Sequence, residues 1–93
     1  YHGVEARGTV GVYRSFWALL ALDDPGRILR LEDETPLLEA APELTRSIAH
    51  QMYLPTPVVF TTGIVEAGDD YLVASGEADL ACRLTYLSRA RFA

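Results

Sequence analysis

Residues 58–87 leave this chain few choices. Val58-Val59-Phe60-Thr61-Thr62-Gly63-Ile64-Val65 and the return leg Tyr71-Leu72-Val73-Ala74-Ser75-Gly76-Glu77-Ala78-Asp79 are rich in β-branched and aromatic residues. Such residues fit a pleated, half-buried surface. Between the two runs lies Glu66-Ala67-Gly68-Asp69-Asp70, a turn-forming segment of moderate length, so the pair predicts a β-hairpin. A third run, Leu80 to Leu87, alternates: Leu80, Cys82, Leu84 and Tyr86 are apolar while Arg83 and Thr85 sit opposite. Period-two alternation marks a half-buried strand. The last third therefore predicts a three-stranded meander with the Leu80–Tyr86 set facing the core.

The chain has 93 residues, enough for one domain, and 49% hydrophobic residues give it material for a core. Net charge is −5, which argues against a nucleic-acid partner, because phosphate repels an acidic surface. All eight basic residues are Arg, so Arg is the fixed cation available to any anion site. One cysteine excludes an internal disulfide, and its place on the apolar face predicts that Cys82 is a buried thiol. No signal peptide, transmembrane run or lipidation motif is present, which gives a cytoplasmic expectation with no membrane partner.

From the start, Tyr1 to Val4 reads as the end of a strand and Glu5 to Gly11 as a loop. Val12 to Leu22 is apolar on both alternating sets, which fits a strand buried on both faces or a buried helix; its aromatics favour the strand. Asp23-Asp24-Pro25-Gly26 is a turn, Arg27 to Leu31 a short strand, and Pro36 to Glu39 a short extended segment. In Ala40 to Pro57, Leu44, Ile48 and Met52 recur at helical spacing, but a long irregular loop fits as well. Two three-strand groups result, Tyr1 to Leu31 and Val58 to Leu87. The corner Gly76-Glu77-Ala78-Asp79 puts two carboxylates and a glycine between two strands, which suits a plain turn or a sugar site.

Three ordered blocks carry a resemblance. They are Tyr-His-Gly-Val at 1–4 with Val-Tyr-Arg at 12–14; Leu-Asp-Asp-Pro-Gly-Arg-Ile-Leu at 22–29 with Pro-Leu-Leu-Glu at 36–39; and Val-Val-Phe-Thr-Thr-Gly at 58–63 with Gly-Glu-Ala-Asp at 76–79. Together they resemble the C-terminal part of glycoside hydrolase family 130, the β-mannoside phosphorylases and β-mannosidases. The resemblance implies a five-bladed β-propeller, of which this chain supplies one and a half to two blades: a first blade portion at 1–39, a connecting loop at 40–57 and a second blade portion at 58–93. The expected fold class is thus all-β, with antiparallel meander sheets of propeller-blade type. It also implies a C-terminal fragment or short relative of an enzyme that transfers a mannosyl unit to phosphate or water, with a β-mannoside or other small carbohydrate as ligand, inorganic phosphate as co-substrate in a phosphorylase, and no metal or other cofactor.

By the same resemblance His2 corresponds to a histidine that contacts the attacking phosphate, Tyr13 to a tyrosine near it, and Asp79 to an aspartate that holds sugar hydroxyls. An imidazolium supplies both charge and donors to phosphate, and a carboxylate accepts paired hydrogen bonds from vicinal hydroxyls. No residue matches the family's general acid or its phosphate-binding Arg and Lys, so no catalytic residue is assigned and the chain alone is expected to be inactive. The sequence departs from the family at Thr56-Pro57 and at Glu77, where a small residue is frequent. Other residues have plainer readings. Glu77 is a solvated turn residue, Trp17 packs in the core, His50 has no partner at metal-ligand spacing, and Arg83, Arg89 and Arg91 form a solvated edge. The competing class is a non-catalytic β module that self-associates into a homo-oligomer through exposed strand edges.

Overall fold

A computed structural model describes residues 1–92. The chain is all-β, built from antiparallel sheets with only single turns of 3-10 helix, an arrangement consistent with partial propeller blades. The order is β1 (His2–Glu5), β2 (Val12–Ser15), β3 (Trp17–Leu20), β4 (Ile28–Glu32), β5 (Val59–Ala67), β6 (Asp70–Glu77) and β7 (Ala81–Ser88). β1 pairs with β2, β3 with β4, and β5, β6 and β7 form a three-stranded meander. The molecule measures 46 × 31 × 18 Å, and its thin dimension leaves room for little more than two packed layers. Among the described residues no helix is long and apolar enough to cross a membrane.

The meander forms where the three runs predict it, with a tighter turn. Ala67 pairs directly with Asp70, so the connection is the two residues Gly68 and Asp69 rather than a loop of moderate length. Gly68 has φ +63°, a value that costs glycine nothing and that two-residue hairpins favour.

The covered face of β7 is the reverse of the expected one. Thr85 pairs with Val73 and Leu87 with Tyr71, and Val73 and Leu87 are buried. Cys82, Leu84 and Tyr86 project the other way and are exposed, so Cys82 is not a buried thiol. Alternation divides a strand into two faces but does not say which one meets a neighbour. Here β6 decides: Val73, Ser75 and Glu77 are buried on one face, and β7 must present the residues registered with them. The core lies on that side, with Leu37, Leu38, Val59, Val73 and Leu87 in one cluster and Trp17 and Phe92 packed against it.

The first half is more broken than a three-strand group. Val12 to Leu22 is not one strand buried on both faces: the ladder breaks at Phe16, and Leu19, Leu20 and Leu22 are exposed. Ser15 is buried, but Ile28, Leu29 and Leu31 of the β3–β4 hairpin are exposed too, and the hairpin meets the core through Trp17. Residues 40–57 form neither an α-helix nor a wholly irregular loop. Pro42–Leu44 and Arg46–Gln51 are 3-10 turns, and Ile48 at φ −118° interrupts the second.

A narrow seam joins the halves. Tyr13 bridges Val58 in parallel and donates its N–H to the Pro57 carbonyl at 3.1 Å. Ser15 Oγ and Thr61 Oγ1 share a hydrogen bond of 2.6 Å. Ser15 also donates its backbone N–H to Leu38 and accepts from Leu37, which ties the extended segment before the loop to β2.

Candidate functional site

At one end of the seam Val58 is held on two sides. Tyr13 bridges it from β2, and the Ala78 N–H donates to its carbonyl at 2.9 Å from the β6–β7 corner. This arrangement brings Tyr13 and Asp79, far apart in sequence, to one cleft of about 230 Å³, lined by Val10, Tyr13, Leu54, Val58, Phe60 and Asp79. Its wall is mostly apolar, with one phenol and one carboxylate. Few polar groups on an apolar wall are the usual make-up of a small-molecule site.

The corner that carries Asp79 is strained. Ala78 and Asp79 both adopt left-handed backbone, at φ 54° and 53°. Aspartate visits that region more readily than alanine, and such conformations persist only where their surroundings enforce them. Two contacts do so here. Ala78 is pinned to Val58, and the Leu80 N–H closes onto the Glu77 carbonyl at 3.0 Å. Asp79 itself is exposed, and its Oδ2 accepts a hydrogen bond from the Tyr53 hydroxyl at 3.2 Å. The negative charge of Asp79, and then that hydrogen bond, raise the Tyr53 phenol above its ordinary pKa.

His2 sits in β1 opposite Ser15, half-buried rather than frayed. Its ring stacks on Phe60 with centroids 3.9 Å apart, and Phe60 also lines the Tyr13–Asp79 cleft. The Thr61 N–H donates to His2 Nε2 at 2.9 Å, which fixes that nitrogen as an acceptor. Desolvation, then the nearby N-terminal ammonium, lower the His2 pKa. The ring is therefore held neutral, with Nδ1–H as its remaining donor, rather than as the imidazolium that the sequence suggested.

Glu77 is not a solvated turn residue. It ends β6, is 1% exposed, and accepts hydrogen bonds from the Ala41 N–H and from Arg83 Nη1 at 3.4 Å. Arg83 is drawn off the expected solvated edge by the same pair, and it also donates to the Glu39 carbonyl at 2.8 Å. Glu77 is thus a tie between the corner and residues 39–41, not an acid–base partner for Asp79. Arg89 faces the Tyr71 ring at 5.4 Å, and Arg91 donates to the Pro36 carbonyl. Trp17 packs on Phe92 beside the core as expected. Among the described residues no group of His, Cys, Asp and Glu stands close enough to hold a metal.

Two cleft neighbours escaped the sequence reading. Phe60 was legible in principle: if Val59 faces in, strand alternation turns Phe60 out. Tyr53 lies in the irregular loop, where no periodicity aims a side chain. None of the cleft-lining residues is cationic. The nearby Arg14 is held between Glu5 and Glu39 at 2.9 and 3.1 Å, and Arg7 is paired with Glu5.

An exposed carboxylate with phenols beside an aromatic ring is a surface suited to a polyhydroxylated ligand. The chain is 43% identical over 79 residues to a β-1,2-mannobiose phosphorylase of Thermoanaerobacter sp. (strain X514). That stretch is 85% of this chain and 23% of the relative, so the chain spans only about a quarter of the protein it resembles. No family model matches the chain, and no solved structure matches it.

Proposed function

We propose that this chain is the portion of a glycoside hydrolase family 130 enzyme that binds the sugar and borders the phosphate. In this reading the enzyme is a five-bladed propeller acting on β-mannosides. Residues 1–39 and 58–93 are blade portions and 40–57 is their connection. The observation that carries the reading is the cleft, which unites Tyr13 and Asp79 beside the Phe60 ring on which His2 stacks. The 43% identity to a mannobiose phosphorylase supports it.

In phosphorolysis a phosphate oxygen attacks the anomeric carbon, the bond from that carbon to the glycosidic oxygen breaks, and the departing sugar takes a proton from a general acid. Asp79 supplies acceptors for sugar hydroxyls. The His2 Nδ1–H and the Tyr13 hydroxyl supply donors to phosphate, or to water in a hydrolase. No residue of this chain takes the part of the acid, and the cleft lacks a cation to neutralise phosphate. The chain alone therefore binds sugar and does no chemistry.

Titration of the chain with mannose, β-1,2-mannobiose and inorganic phosphate, followed by NMR shifts, tests this. Weak sugar binding is expected, reduced about ten- to a hundredfold in Asp79→Ala, as for loss of a charge-assisted hydrogen-bond partner. Incubation with mannobiose and phosphate should release no mannose 1-phosphate. Sugar binding that is equal in wild type and Asp79→Ala would sink the reading.

A further inference from the structure

The carboxylate at the β6–β7 corner meets a partner from a part of the chain that no strand positions. Tyr53 donates its hydroxyl to Asp79 Oδ2 at 3.2 Å, across 26 positions. Among the described residues no donor reaches Oδ1. The negative charge of Asp79 keeps the phenol protonated, and a tyrosine hydroxyl has a single proton to give. With that proton given to Oδ2, the phenol oxygen is left as an acceptor. Oδ1 and the phenol oxygen are therefore two acceptors linked by one hydrogen bond.

Neither residue is on a loose tether. After Tyr53, Leu54 lies in the wall of the Tyr13–Asp79 cleft, the Thr56 hydroxyl donates to the Gly11 carbonyl, and the Pro57 carbonyl accepts from the Tyr13 N–H. Before it, the Met52 N–H closes onto the Ala49 carbonyl at 3.0 Å. Pro55 and Pro57 fix their own φ. Asp79 stands on the strained corner that Ala78 pins to Val58. Yet Tyr53 is 69% exposed and Asp79 is exposed too, and a hydrogen bond open to water adds little to folding. Groups held in place at little gain to the fold suit a ligand site, because their order is established before binding.

We infer, resting on the sugar-binding role proposed for Asp79, that Tyr53 is a second ligand-contacting residue and that the two form one unit for a pair of neighbouring hydroxyls on a sugar ring. One hydroxyl donates to Asp79 Oδ1 and the next to the phenol oxygen. The charged acceptor makes the stronger bond. The 40–57 segment is then part of the site as well as a connection. A ligand with an isolated hydroxyl fills one acceptor and leaves the other without a donor, which is costly in a site built to hydrogen-bond.

The test is an NMR titration of the chain, Tyr53→Phe and Asp79→Ala with methyl β-mannoside and its mono-deoxy analogues. In the wild type two neighbouring deoxy positions should weaken binding, one by about ten- to a hundredfold and the other by about three- to tenfold. In Tyr53→Phe the smaller penalty should vanish and the larger stay, with the urea midpoint unchanged. Binding by Tyr53→Phe that is as tight as wild type, or tighter, overturns the inference, since the phenol then only competes for Asp79. Binding weakened equally for every analogue also overturns it, since Tyr53 then only holds the loop. Asp79→Ala tells this failure from that of the sugar site. If Asp79→Ala weakens binding of the parent mannoside, the sugar site stands whatever Tyr53→Phe does. If it binds as wild type does, the sugar site and the inference fall together.

Discussion

The β5–β7 meander and the β3–β4 hairpin share the same apolar chemistry and have opposite fates. The meander buries one face: Val59 and Val73 are fully covered and Glu77 nearly so. The hairpin buries almost nothing, and Leu22 at its turn is as exposed as in an extended chain, at 101%. The difference lies in cover, not composition. Leu37, Leu38, Trp17 and Phe92 lie against the meander, whereas of the β3–β4 strand residues Trp17 alone packs against that core cluster. Apolar content licenses burial, and only an opposing layer delivers it.

The largest effect expected from this contrast is at the covered face. Leu87→Ala should cost about 3 kcal/mol, the transfer free energy plus the cavity left behind, read as a fall in the urea midpoint. A cost near zero would mean that the meander is no better covered than the hairpin.

Next comes the tie at the edge of that face. Glu77→Ala strands the Ala41 N–H and removes a partner from Arg83. It should cost about 2 kcal/mol, less than the loss of a wholly buried pair because the Arg83 side chain keeps 17% exposure and rehydrates in part. Glu77→Gln keeps an acceptor for Ala41 and should recover about half of that. If both variants unfold at the same denaturant concentration, the hydrogen bond to Ala41 contributes nothing.

A smaller effect concerns pH. The native His2 pKa lies below its ordinary 6.5, so the unfolded chain binds a proton first as pH falls. Stability from this group is complete above pH 6.5 and declines below it, levelling off beneath the depressed native value. Glu5 and Glu32, whose native pKa values are lowered from 4.5, lose their contributions at more acidic pH. His2→Gln should flatten the urea midpoint between pH 6.5 and 4.5 and leave the acid limb in place. An unchanged slope would show that the stacked ring is free to take a proton.

The smallest effect belongs to the uncovered hairpin. Leu29→Ser should change stability by no more than about 0.5 kcal/mol, and a cost like that of Leu87→Ala would dissolve the contrast between the regions.

These fates explain what could be read from the amino acids. The meander was legible because two β-branched and aromatic runs around a turn-forming segment, followed by an alternating third run, admit one pairing. Its buried face was not, since Cys82, Leu84 and Tyr86 are the more apolar set of β7 and yet face outwards. The orientation depended on Leu37 and Leu38, two residues outside every strand. At the site, Tyr13 and Asp79 came from the resemblance, and the cleft they share arises from the Tyr13–Val58 bridge. The role of Glu77 was hidden because a carboxylate beside a glycine and an aspartate looks solvated until the 40–57 segment folds over it. Tyr53 had no local pattern to betray it.

The seam carries a kinetic consequence. β5, β6 and β7 pair through short connections, so their ladder closes with little loss of chain entropy. Ser15 and Thr61, by contrast, must meet across 46 positions. Contacts that are local in sequence form fast and distant ones slowly, so the meander should assemble first and receive β2 afterwards. A ribosome delivers them in the opposite order. Val12, Ser15 and Trp17 emerge first and wait for the surface that will cover them, an interval in which such a segment is prone to mispairing.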